Sequence, residues 1–150
     1  MELRDARLGD TQDFADLAQC QLLVVIEREH QTFAIGVNDV NEFSVTTPAD
    51  TNGAANAVNE NVAIGTLVGI TASASDADAT TNTVSYSLTD SAGGKFAIDS
   101  STGVVTVAGA IDREADGATL NITVRATSVD GSTADQAFSI GVNDVNEFAV

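Results

Sequence analysis

A fifteen-residue block occurs twice in this chain. Residues 31–45 read QTFAIGVNDVNEFSV and residues 136–150 read QAFSIGVNDVNEFAV. They differ at Thr32 against Ala137, Ala34 against Ser139 and Ser44 against Ala149, and the offset is 105 residues. A near-identical segment returning at that interval marks a tandem array of domain-sized units. The chain therefore reads as a leader (1–30), the last strand and linker of one unit (31–43), and one complete unit with its own linker (44–150). A unit of about 105 residues can bury a core without disulfide staples. Its function is expected at the joints, where the duplicated block lies.

Within the complete unit apolar residues recur at every second position, broken by Gly, Asp, Asn and Ser. Val68, Ile70, Ala72 and Ala74 form one such run, and Val84, Tyr86 and Leu88 another. Phe96 with Ile98, Val105 with Val107, Leu120 to Ala126, and Phe138 to Val142 supply four more. One further strand is expected near Val58–Ile64. Each run has a single apolar face, so two antiparallel sheets must bury those faces against each other. The expected fold is all-β, a seven-strand Greek-key sandwich. No segment after Ala57 shows helical period. The leader is different: Asp13–Ala18 has a helix-like start, Leu22–Ile26 reads equally as a strand or as that helix continued, and no function is assigned to it.

Alternation also places acids. Phe138, Ile140 and Val142 face inward and lead by the same period to Asp144; Phe33, Ile35 and Val37 lead likewise to Asp39. Glu60, the pair Asp76 and Asp78, Asp112 with Glu114, and Asp130 complete a set of acidic motifs at strand ends and turns. The formal charge of −16 disfavours nucleic acid and anionic membrane as partners, because both need Lys and Arg. Two carboxylates about 5 Å apart repel by roughly 3 kcal/mol at an effective dielectric near 20, before salt screening. Gathered acids therefore call for a compensating cation. An all-oxygen donor set points to Ca²⁺, which takes about six to eight oxygens, over Mg²⁺, which keeps its waters and demands an octahedron.

The motifs ENVAIGT, ASDADAT, FAIDSSTGVVTV, IDRE and VNDVNEF, in this order and spacing, resemble a cadherin repeat of the bacterial type. The resemblance covers about Phe43–Phe148, with a preceding repeat's last strand at Phe33–Glu42. It implies Ca²⁺ held between successive repeats. The first joint would use Asp39, Asn41 and Glu42 from the linker with Asp76 and Asp78. The second would use Glu60, Asp112, Glu114, Asp144, Asn146 and Glu147. The family has an Asp where this chain has Ser128, and Asp130 is the candidate substitute. The family's linker pattern DxNDN followed by Pro here reads DxNEF, so Glu42 and Glu147 replace an Asp while Phe43 and Phe148 replace an Asn ligand. Fewer ions per joint than the family's maximum of three are implied.

The implied function is a Ca²⁺-stiffened structural and adhesive repeat of a large bacterial surface or secreted protein. Its partners would be neighbouring repeats and cell-surface or matrix ligands, without nucleic acid and without membrane insertion. The alternative is a β-sandwich module that recognises a glycan or protein without needing Ca²⁺. Its loops Thr80–Thr83 and Ser91–Lys95 are small, polar and free of aromatic anchors. Catalysis finds no footing, since the complete unit has no histidine and Asp112 with Glu114 has no Trp beside it for sugar stacking. Homophilic contact of the animal kind uses a first-strand anchor such as Trp, and the chain has no Trp. Gly65, Gly103, Gly131, Asp99 and Thr102 read as turn chemistry. Asn121-Ile122-Thr123 matches a glycosylation pattern but falls mid-strand. The single cysteine, Cys20, excludes an internal disulfide, and no apolar run approaches the ~20 residues of a membrane span.

Overall fold

The computed structural model describes residues 35, 36 and 40–146, and every element below lies in the unit Asn41–Val150. The elements expected in the leader fall outside the described residues, as do Asp39 and Glu147. In chain order the strands are β1 (Ala49–Asp50), β2 (Ala57–Asn59), β3 (Leu67–Ser73), β4 (Val84–Asp90), β5 (Phe96–Ile98) and β6 (Val104–Val107). A single helical turn α1 (Arg113–Asp116) precedes β7 (Thr119–Ser128) and β8 (Thr133–Asn143). Two four-stranded sheets have the orders β1-β3-β6-β5 and β2-β8-β7-β4. All pairings are antiparallel except β2 with β8.

Period-two alternation builds the core. Val68, Ile70 and Ala72 of β3 and Val105 and Val107 of β6 face Ile122, Val124 and Ala126 of β7 and Ile140 and Val142 of β8, and all are buried. Phe96 and Ile111 close the cluster. Ile140 is 0 % exposed, but Ile35 is 54 % exposed and lies in no strand. β8 is held on both sides, by β2 and by β7.

Of the strand expected near Val58–Ile64 only β2 forms, ending at Asn59, and a further short strand, β1, stands before it in the other sheet. β1 pairs with β3, then the chain crosses at residues 51–56 so that β2 can pair with β8. Asp50 and Asn52 steer the crossing, each accepting from the backbone N–H two residues on, at 2.9 and 3.0 Å. Gly69 makes room for it. A Cβ there would stand 2.2 Å from the Ala55 carbonyl oxygen, and its φ of +81° lies in the left-handed region. The β3–β6 register shifts around this glycine.

The turn α1 was not expected from sequence, because four residues are too few to display a helical period. Its ends carry the cause. Asp112 caps it by accepting from Ala115 N at 2.9 Å, while Asp116 reaches back to accept from Asp112 N at 3.0 Å. Gly117 ends it at φ 92°. Lys95 holds it down, with Nζ 2.6 Å from Asp116 and donating to the Ala110 carbonyl at 2.8 Å.

Candidate metal centre

The acids fall into two groups. Asp76 and Asp78 sit in the loop that leaves β3, and Asp130 sits in the turn joining β7 to β8. Each offers an oxygen within 4.8 Å of the others. The loop is anchored where it leaves the sheet: Ala74 N donates to the Tyr86 hydroxyl at 2.9 Å. Asp78 N then donates to Asp76 Oδ1 at 3.1 Å, folding the DAD triplet back on itself. Asp78 is 3 % exposed, and its Oδ1 accepts from the backbone N–H groups of Glu42 and Phe43 at 3.2 and 3.1 Å. Its Oδ2, like Oδ2 of Asp76, is buried with no hydrogen-bond partner. Ser132 N donates to Asp130 at 2.7 Å and holds that carboxyl below the usual range, while the Asn41 side-chain amide donates to its other oxygen.

The second group is Glu60, Asp112 and Glu114, again with ligand atoms within 4.8 Å of one another. Glu60 follows β2 and is 2 % exposed. Its two oxygens accept from Val145 N and Arg113 N, each at 2.7 Å, so one carboxylate joins the exit of β8 to the start of α1. Those N–H groups, Val145 first, hold its pKa below the ordinary value. Glu114 moves the other way. A hydrogen bond from its own backbone N–H lowers its pKa, but desolvation and the negative charges of Glu60 and Asp144 outweigh that and leave it raised. The Arg113 guanidinium stands 3.8 Å from Asp144.

Strand β8 keeps the groups apart. It starts just after Asp130 and ends just before Asp144, and its 11 residues span about 35 Å at the usual strand rise. One group therefore lies at the end of the sandwich where the chain enters, the other where it leaves.

Of the residues expected from sequence, Asp76, Asp78 and Asp130 come together, as do Glu60, Asp112 and Glu114. Asp144 lies beside the second group through Arg113 and Glu60. Asn41 contributes its amide to Asp130, and Glu42 contributes its backbone N–H to Asp78. Asn146 is exposed. Ser128 is buried and donates to the Thr81 carbonyl at 2.8 Å, so Asp130 is the acid that this turn delivers. The clasp of Asp78 on the linker backbone had no sequence signal, because main-chain N–H groups leave no mark in residue identity. The Asp99 carboxylate accepts from Thr102 N, Thr102 Oγ1 and Ser101 N, and serves its turn.

The donors are all oxygens, and the two orphaned oxygens of Asp76 and Asp78 are what a bound cation would satisfy; the residues fit a hard divalent ion such as Ca²⁺.

Residues 55–142 match the family described as Cadherin domain. The fold is similar to that of mouse cadherin-23 EC22-24, with TM-score 0.58 and 30 % identity, over 75 % of this chain and 36 % of that one. It is also similar to mouse clustered PcdhgC3 EC1-3, with TM-score 0.59 and 28 % identity, over 73 % and 36 % respectively. The chain thus spans about a third of the length of these structures. No curated protein matches it.

Proposed function

This chain belongs to the cadherin domain family, whose fold is an adhesion-type, non-enzymatic repeat, and from that premise we propose that it is a Ca²⁺-stiffened spacer in a tandem array. The observation that carries the reading is the pair of buried carboxylate oxygens, Asp76 Oδ2 and Asp78 Oδ2, left without partners inside a group of three acids. A buried unsatisfied acceptor costs about 1–3 kcal/mol, and acids so close repel as well. Ca²⁺ supplies the missing positive charge and accepts several oxygens at once.

The proposed boundaries are 31–43 for the strand and linker of a preceding repeat and 44–150 for the complete one, with 1–30 as a leader. At the entering joint Asp39, Asn41 and Glu42 would join Asp76, Asp78 and Asp130. At the leaving joint Asp144, Asn146 and Glu147 would join Glu60, Asp112 and Glu114. Without Ca²⁺, repulsion leaves each linker loose; with it, ligands from both repeats close on shared ions and fix the angle between them. Such an array suits a large bacterial surface or secreted protein that touches cell-surface or matrix ligands. Among the described residues no helix is long and apolar enough to cross a membrane.

Thermal melting in EDTA and in millimolar Ca²⁺ tests the reading. An ion that binds only the folded state adds about 2.7 kcal/mol at a hundredfold excess over its dissociation constant. The midpoint is expected to rise with Ca²⁺ and to rise less with equal Mg²⁺; equal midpoints in EDTA and Ca²⁺ reject it.

A further inference from the structure

We infer that Arg113 is a built-in counter-cation for the leaving-end acidic group, standing at Asp144 until a divalent ion takes that carboxylate, and so restraining metal uptake there. The inference rests on the calcium reading above. Three Lys or Arg residues fall among the described residues: Lys95, Arg113 and Arg125. Lys95 is committed to Asp116 and the Ala110 carbonyl, and Arg125 makes a two-pronged pair with Asp135 at 2.8 Å. Arg113 alone faces an acidic group.

Its position is set by its neighbours in sequence. Asp112 and Glu114 flank it in sequence and its own backbone N–H donates to Glu60 at 2.7 Å, so each acid of the group is its chain neighbour or its hydrogen-bond partner. The guanidinium lies 3.8 Å from Asp144, an ion pair without a hydrogen bond. Its Nε is buried and has no partner. An orphaned guanidinium N–H is costly to keep, and attraction to the Asp144 carboxylate is the interaction on hand to offset it. The entering-end group of Asp76, Asp78 and Asp130 offers the reverse picture: no Lys or Arg is paired with it among the described residues, and the orphans are oxygens. One end therefore carries a resident cation and the other awaits one.

A divalent ion bound by Glu60, Asp112 and Glu114 meets a like charge in Arg113. Removing one charge about 6 Å from a divalent ion in water-like dielectric strengthens binding by about tenfold. Without metal the sign reverses, because Arg113 relieves repulsion among the same acids.

Calorimetric Ca²⁺ titration of the whole chain and of Arg113→Gln tests this, with Glu114→Gln identifying which uptake belongs to the leaving end. Arg113→Gln is expected to bind Ca²⁺ there about tenfold more tightly, to melt lower than the parent in EDTA, and to lose that deficit in saturating Ca²⁺. Arg113→Lys, which keeps the charge, is expected to restore the parent affinity. Arg113→Met keeps the packing of the stem and repeats the test if the Gln variant does not fold. A purely structural role predicts the opposite, since a loosened α1 would scatter Asp112 and Glu114 and weaken uptake. Unchanged or weaker affinity in the charge-removing variants, with the parent binding Ca²⁺, overturns this inference alone. No uptake by any of these chains overturns it together with the calcium reading.

Discussion

Asp78 has one oxygen bound by the linker backbone and one buried without a partner, so its two halves do different work. Asp78→Asn separates them. The amide oxygen can still accept from Glu42 and Phe43 N–H, while its NH₂ can donate to the neighbouring carboxylates of Asp76 or Asp130. The variant is expected to melt higher than the parent in EDTA, by about 1 kcal/mol of stability, and to lose most of its response to Ca²⁺. Asp78→Ala frees the linker N–H groups and is expected to melt lower in both conditions. Acid titration reads a different set of residues. Glu60 is held below its ordinary value of 4.5 by Val145 and Arg113 N–H; Asp99, by the Thr102 and Ser101 groups, and Asp130, by Ser132 N–H, lie below 3.8. A carboxyl lowered on folding contributes stability that is present above its unfolded pKa and is lost as pH falls through the folded one. Glu114, being raised, has the opposite sign and weakens the fold as pH rises past 4.5. The lowered groups outnumber it, so in EDTA the melting midpoint is expected to fall as pH drops below about 4.5. A midpoint that rises on acidification would contradict the hydrogen bonds assigned to Glu60, Asp99 and Asp130.

At the scale of elements, the crossing from β1 to β2 depends on Gly69 admitting the Ala55 carbonyl. Gly69→Ala places a Cβ 2.2 Å from that oxygen at φ +81°, and is expected to cost at least about 2 kcal/mol in denaturant unfolding. A loss of a few tenths would show that the crossing does not need the close approach. Ile122→Ala, at 0 % exposure in β7, is expected to cost about 2–5 kcal/mol. The long strands were legible in the sequence because one face of each is buried: the alternation of Val68, Ile70 and Ala72, or of Ile122 and Val124, carries the fold directly. The crossing from β1 to β2 was not legible, since Gly69 and Ala55 meet only through tertiary structure. Nor was α1, which four residues and one capping aspartate define. The acids themselves stood out as strand-end motifs. The resemblance already assigned most of them to one joint or the other; placing Asp130 beside Asp76 and Asp78 needed the turn between β7 and β8, and the linker clasp on Asp78 needed backbone positions that residue letters do not encode.

For the whole molecule, one acidic group at each end of a sandwich about 35 Å long gives a unit that can be chained. The duplicated block supplies the same linker before and after it. In this account the sheets provide length, and stiffness arrives from solution as a divalent ion. The central claim concerns that ion, and equilibrium dialysis of the chain against Ca²⁺ measures it most directly. Saturable uptake at millimolar Ca²⁺ or below is predicted, reduced by Asp78→Asn and by Glu114→Gln separately and abolished when both are combined. No uptake at millimolar Ca²⁺, or uptake untouched by the two substitutions together, would contradict the account.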